Sequence, residues 1–240
     1  MYDLTAFTEQ DARACRSLIT SAAKGARSME AFAATLVRDL HRQLVDPMTG
    51  QPSCALIRFY KTHYYDRLTP DLQAIARTRA DLPSLTGVKC LTLLATAGDQ
   101  PAWNDRRASV GHQVFPLPSE AMVNQLPMMA QMFKQFGLKL QTLLNDDPQL
   151  LLDSEHRTYN VFYVADARGS AYIPAQEQFV IPYGIKSVLG FGGILPYGEL
   201  FAAILFSKTP IPSSTTKHFE SLALALKLAL VPFVGNRTFA

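Results

Sequence analysis

Hydrophobic positions recur along the chain with two different periods, and the changes of period mark its elements. Over the first fifty residues the period is helical. Ala12, Cys15, Ile19, Ala22 and Ala23 form a stripe between the start at Thr8, Glu9, Gln10 and Asp11 and the stop at Gly25. Met29, Phe32, Ala33, Leu36, Val37, Leu40 and Leu44 form a stronger stripe, with Arg38, Asp39 and Arg42 on the other side and Asp46, Pro47 and Gly50 closing it. Cys54 to Tyr60, CALIRFY, and Val88 to Thr96, VKCLTLLAT, are rich in β-branched, aromatic and aliphatic residues and predict buried strands. Between them the spacing predicts a short helix over 70–80, capped by Thr69 and opened by Pro70. Ser119 caps a later helix carrying Met122, Leu126, Met129, Ala130, Phe133 and Phe136, in which Pro127 forces a kink or a fresh start before Gly137 ends it. Tyr159 to Val164 predicts a further strand closed by a turn at 166–169, and residues 170–180 a short connector around Pro174.

The run from Lys186 to Leu230 organises the rest. Ser187 to Leu195 and Leu200 to Phe206 predict two strands joined by Pro196, Tyr197, Gly198 and Glu199 in a hairpin turn. Gly190 to Gly193, GFGG, lies inside the first of these and leads into no helix, so its glycines mark a bulge or a close approach of ligand or backbone. Pro210 and Pro212 stop the second strand, Ser213 or Ser214 supplies a cap, and Phe219, Leu222, Ala223, Leu226 and Leu230 recur at helical spacing. Leu224, Ala225 and Leu228 fill much of the opposite face. A helix apolar nearly all round needs two partners: one is its own sheet, and the expected other is a second copy of the chain. The tail after Pro232 is expected to fray.

An apolar hairpin, a proline-edged loop and a closing apolar helix in this order resemble the C-terminal half of GAF domains. The resemblance rests on Gly184, Ile185, Lys186, Ser187, Val188 and Leu189, similar to the family's lead into its penultimate strand, and on Phe201 to Phe206, similar to the strand after it. Where the family usually carries Gly in that strand, this chain has Phe201 or Ala202. The resemblance implies an α/β (α+β) fold with a GAF-like central antiparallel sheet flanked by helices and an N-terminal helical extension. Its expected divisions are 1–50 for the helices, 51–232 for the sensory domain and 233–240 for the tail. It also implies that the first and last helices pack together across a homodimer.

Composition narrows the function. A chain of 240 residues, 48% hydrophobic and 18% charged, has the make-up of a folded domain with a sizeable core. A net charge of +3 without a long Lys/Arg run excludes a nucleic-acid footprint. No apolar run reaches the roughly 18–20 residues that span a bilayer, because Lys227 interrupts the best one. The opening residues lack the pattern of a signal peptide, and Cys15, Cys54 and Cys90 are odd in number and widely spaced, so a reducing, cytoplasmic location is expected.

The long excursion 98–153 is where a site is expected, because a loop of that length inside a domain is usually functional. Trp103, Asn104, Arg106, Arg107 and His112 come from it, and Asn160, Phe162, Tyr172, Gln176 and Ser187 from the later strands and connector. The resemblance implies that the two groups face each other across the sheet around a small-molecule ligand. Paired arginines offer forked donors to carboxylate or phosphate, and a Trp can cover an apolar ring. The bland alternative is two solvated arginines beside a core Trp. No pair of His stands at metal-ligand spacing, and haem through His112 is the one cofactor that the Met and aromatic stripe downstream admits, although such a stripe usually forms core. The family's bilin-attaching Cys-His pair, its cyclic-nucleotide motif and its clustered redox cysteines are all absent. The reading is therefore a ligand-sensing, dimer-forming input domain of a bacterial signalling system of the histidine kinase or cyclase type, binding and not transforming its ligand. The alternatives are an enzyme using His112 or Glu177 as acid or base beside Arg106, and a pocketless dimerisation scaffold.

Overall fold

Thr8 and Ser28 begin the first two helices as the sequence anticipates. In the computed structural model, which describes residues 1–80, 82–144, 160–235 and 237–239, Thr8 forms a reciprocal capping box with Asp11 at the head of α1 (Glu9–Lys24). The Ser28 hydroxyl accepts from the Ala31 amide at the head of α2 (Met29–Gln43). Six strands follow: β1 (Cys54–Tyr64), β2 (Lys89–Gly98), β3 (Val114–Pro116), β4 (Asn160–Val164), β5 (Ser187–Ile194) and β6 (Leu200–Ser207). They form one antiparallel sheet in the order β3-β2-β1-β6-β5-β4. Helices α3 (Pro70–Arg79), α4 (Glu120–Asn124), α5 (Pro127–Gln135), α6 (Leu140–Leu144) and α7 (Thr216–Leu230) complete the described α-helices. The expected class, a central antiparallel sheet flanked by helices, is the class observed.

Alternation along the strands sorts the core into two layers. Ile57, Phe59, Phe201, Ala203 and Leu205 face α1, α2 and α7, while Leu56, Tyr60, Leu200, Ala202 and Ile204 face α4, α5 and the connector around Phe179. Helix α7 packs on β5, on β4 and on α1 within the same chain, where Phe7 meets Phe219 at 5.0 Å and Arg16 donates to the Ser221 hydroxyl at 2.7 Å. The contact expected across a dimer is therefore made inside one chain, and Leu224 and Leu228 are left on the outside.

Several local expectations are corrected. Neither Ser213 nor Ser214 caps α7: the chain enters it through a 3-10 turn, Ser213–Thr215, in which the Thr216 hydroxyl donates to the Ser213 carbonyl. Thr69 makes no side-chain cap to α3. Pro127 gives a fresh start, since its missing N–H costs nothing at a first helical position. Strand β3 was unforeseen because its three residues end in two prolines' neighbourhood and carry no period of their own. Arg237 and Thr238, in the tail expected to fray, accept through their carbonyls from the Met29 and Glu30 amides at 2.8 Å, and Phe239 lies 5.2 Å from the His63 ring. Tyr159, the last part of the long excursion and Asn236 fall outside the described residues.

Candidate functional site

β2 is longer than its outer neighbour. Strand β3 pairs only with Cys90–Thr92, so among the described residues the far half of β2 has no strand on its outer side, and the loop 99–113 wraps that edge instead. Asn104 fastens the loop by standing in for a strand: its Oδ1 accepts from the Gly98 amide at 3.1 Å, and its Nδ2 donates to the Gly98 and Gln100 carbonyls at 2.9 Å. Arg106, 7% exposed, then crosses to α2 and pairs with Glu30. Between α2, the open edge of β2 and this loop lies a cavity of about 410 Å³, lined by Ala34 and Arg38 of α2, Leu94 to Ala97 of β2, and Asn104 to Arg107 among others.

The cavity is basic. Arg38, Arg42, Arg106 and Arg107 line it against two carboxylates, Glu30 and Asp105. Glu30 is taken by Arg106, and Asp105 accepts from the Arg107 amide at 2.8 Å. At one end Asp99 holds His41 at 3.3 Å and Lys208 at 2.6 Å. Burial pushes the His41 imidazole below its ordinary range, opposed by Asp99, so His41 is neutral at pH 7. Guanidinium forks around a volume within the range of small-molecule pockets suit a ligand with an acceptor-rich end.

The ten sequence-predicted residues do not form one site. Asn104, Arg106 and Arg107 line this cavity. Trp103 lies on the other face of the sheet, with its ring 4.5 Å from Tyr183 and 5.6 Å from Phe179. Asn160 donates to the Phe136 carbonyl and Phe162 is fully buried, both on β4 at the opposite edge of the sheet from β2. Gln176 braces its own turn through Gly169, Ala167 and Ile173, and Ser187 bridges the Ala165 carbonyl and the Ile211 amide. Tyr172 borders a separate cavity of about 490 Å³ along α5, where Lys134 is the charged residue among the described lining. Asn104, Arg106 and Arg107 beside β2 are separated from Asn160, Phe162 and Ser187 on β4 and β5 by β1 and β6, while Trp103 reaches the connector that carries Gln176.

His112 packs on Phe115 at 6.3 Å; desolvation there, followed by the Arg58 and Arg79 charges, pushes its imidazole down to about 4. The acid-base arrangement of His112 or Glu177 beside Arg106 is not assembled: Arg106 is engaged by Glu30, and Glu177 is exposed on the connector. The three cysteines are buried and free, and burial pushes the Cys15 and Cys90 thiols up to about 12 and the Cys54 thiol higher, so none is a nucleophile. Among the described residues no group of three or more His, Cys, Asp or Glu is placed to hold a metal ion, and no helix is long and apolar enough to cross a membrane.

Sequence reasoning missed the polar groups inside the strands. Lys61, 1% exposed, pairs with Glu199 at 2.7 Å, and burial, partly offset by Glu199, holds its pKa below the ordinary lysine value. His63 is fully enclosed with neither ring nitrogen hydrogen-bonded, and Arg58 sits 8% exposed in the middle of CALIRFY. The available signal was a charge inside an otherwise apolar strand, which a solvated strand would not place between Ile57 and Phe59.

No family model matches the chain, and no curated protein matches it. Among solved structures, the phycoerythrobilin-bound GAF domain from a cyanobacterial phytochrome aligns over 95% of this chain and 96% of its own, with 11% identity and a TM-score of 0.45. The phycocyanobilin-bound GAF domain from a cyanobacterial phytochrome aligns over 95% and 97%, with 11% identity and a TM-score of 0.44. A bacteriophytochrome from the photosynthetic bacterium R. palustris aligns over 95% of this chain and 39% of its own, with 10% identity and a TM-score of 0.46.

Proposed function

We propose that this chain is a ligand-sensing input domain of a bacterial signal-transduction protein of the histidine kinase or cyclase type, acting as a homodimer in the cytoplasm. The observation that carries the reading is the cavity between α2 and the open edge of β2, onto which Asn104 and the Arg106–Glu30 pair draw the loop 99–113. The loop is the movable wall and α2 the responding element. A ligand that draws Arg106 or Arg107 inward competes with Glu30, and Glu30 lies at the head of α2 where the tail carbonyls of Arg237 and Thr238 are bound. Displacing that contact shifts α2 against α1 and α7, and the shift biases an output element only to the extent that the ligand prefers one packing.

Native mass spectrometry of the protein purified from cells tests this. A discrete small mass is expected on the wild type, and it is expected to vanish in Ala34→Trp, which fills the cavity from a half-buried position on α2. If no metabolite in a broad screen binds, or if a bound mass persists in Ala34→Trp with the fold intact by circular dichroism, the cavity is not the sensor site.

A further inference from the structure

Arg58 and Thr96 are directly paired across β1 and β2, on the face of the sheet turned away from α2, since Arg58 also pairs with Ile204 of the opposite core layer. Cross-strand partners hold their Cβ atoms about 5 Å apart. Both are more than nine-tenths buried, and neither Arg58 Nε nor Thr96 Oγ1 has a hydrogen-bond partner. Burying a guanidinium away from water is costly unless its donors find partners. Tyr60, two residues along the same face, hydrogen-bonds to Arg58, yet a phenol does not neutralise a cation.

The surroundings add charge of the same sign. Arg79 of α3 lies over the Phe115 ring at 5.0 Å, half-buried, and its charge is felt by both Tyr60 and His112. His112 stands at the exposed rim. Among the described residues no carboxylate forms an ion pair with Arg58 or Arg79. Two guanidinium groups and a buried hydroxyl, with no ion-paired carboxylate among the described residues, form an incomplete ion-binding shell, with donors running from the buried Arg58 to the surface.

We propose that Arg58, Thr96 and Arg79 bind the oxyanion of a small molecule, a carboxylate or a phosphate, at the β1–β2 surface beneath His112. The oxyanion accepts from Arg58 Nε, the Thr96 hydroxyl and the Arg79 fork, and supplies a negative charge that no described residue pairs with these arginines. Arg58 and Arg79 do not line the α2 cavity, although Thr96 borders it, so an oxyanion held by the two arginines does not depend on a ligand there.

Inorganic phosphate and succinate, titrated separately into the intact protein at low ionic strength, test it by NMR of the Arg side-chain N–H groups and of the His112 ring. Saturable binding of one or both, at millimolar dissociation constants or tighter, is expected to move the Arg58 Nε–H resonance. It is also expected to raise the His112 pKa from about 4 towards its ordinary value, because the anion offsets the two arginines. Phosphate alone binding assigns a phosphorylated ligand, and succinate alone a carboxylic acid. Arg79→Met, made on a half-buried position that leaves the core intact, is expected to weaken binding about tenfold or more, and Thr96→Val to weaken it less. If chloride at equal ionic strength reproduces the shifts, if neither anion saturates, or if affinity is unchanged in both variants, the proposal is wrong.

Discussion

The Lys61–Glu199 pair shows what a buried charge does to single residues here. Lys61 donates to the Glu199 carboxylate at 2.7 Å and to the Thr62 carbonyl at 3.1 Å, so both partners retain polar contacts that water would otherwise make. Lys61→Met removes the hydrogen-bonded partner of the buried Glu199 carboxylate, leaving it the Lys89 charge nearby, and is expected to cost about 3 kcal/mol in urea unfolding, while Lys61→Met combined with Glu199→Leu recovers part of that loss. His63 gives a pH prediction. Burial, with the Lys61 charge beside it, holds its folded pKa well below 6.5, so the native state keeps the ring neutral while the unfolded chain takes up a proton. Stability is then full above about pH 6.5 and falls as the pH drops towards the folded value. His63→Leu is expected to shallow that fall in denaturation midpoints measured from pH 8 to pH 5, leaving the parts due to His41 and His112, which have the same sign. These residues were not legible in the sequence as a group. Arg58, Lys61 and His63 alternate within one strand, and only the pairing with β2 and β6 shows which of them meet Thr96, Glu199 or the tail.

Elements were more legible than their partners, because caps and periods are local whereas pairing is not. The GFGG segment illustrates the boundary: two readings, bulge or close approach, fitted the glycines, and the fold selects close approach of backbone. A Cβ on Gly192 would stand 2.1 Å from the Phe201 carbonyl oxygen, across the β5–β6 ladder. Gly192→Ala is therefore expected to destabilise by roughly 1–3 kcal/mol through forced backbone movement, read as a lower urea midpoint. Gly137, past the end of α5 at φ 66°, has open space around it, and its conformation alone resists replacement. The hairpin, α1, α2 and α7 were all readable because each carries its own stop signals. The docking of the tail was not, since it consists of two carbonyls filling the amides at the head of α2, a contact independent of which side chains 237 and 238 carry.

At the scale of the whole molecule the helical layer is where a signal would leave. The expectation that α7 needs two partners is met inside the chain by the sheet and α1, yet Leu224 remains 36% exposed, Leu228 64% and Val231 42%. Leu224, Leu228 and Val231 follow one another at helical spacing, so they form one strip on the outer side of α7 beside the chain's own α1 contact. The proposed homodimer would use this strip, bringing two copies of α7 together directly above β4 and β5, with α1 and then α2 behind them. Placing Glu at 224 and 228 puts two carboxylates in that strip without touching the buried stripe of Phe219, Leu222, Leu226 and Leu230. The double variant is expected to keep the wild-type monomer stability to within about 0.5 kcal/mol per site, as for other exposed positions. In light scattering it is expected to halve the mass of a wild-type dimer. A wild type that is monomeric at high concentration, or a variant whose dimer mass is unchanged, would remove α7 from the output path, and the shift of α2 would then have to act through the tail alone.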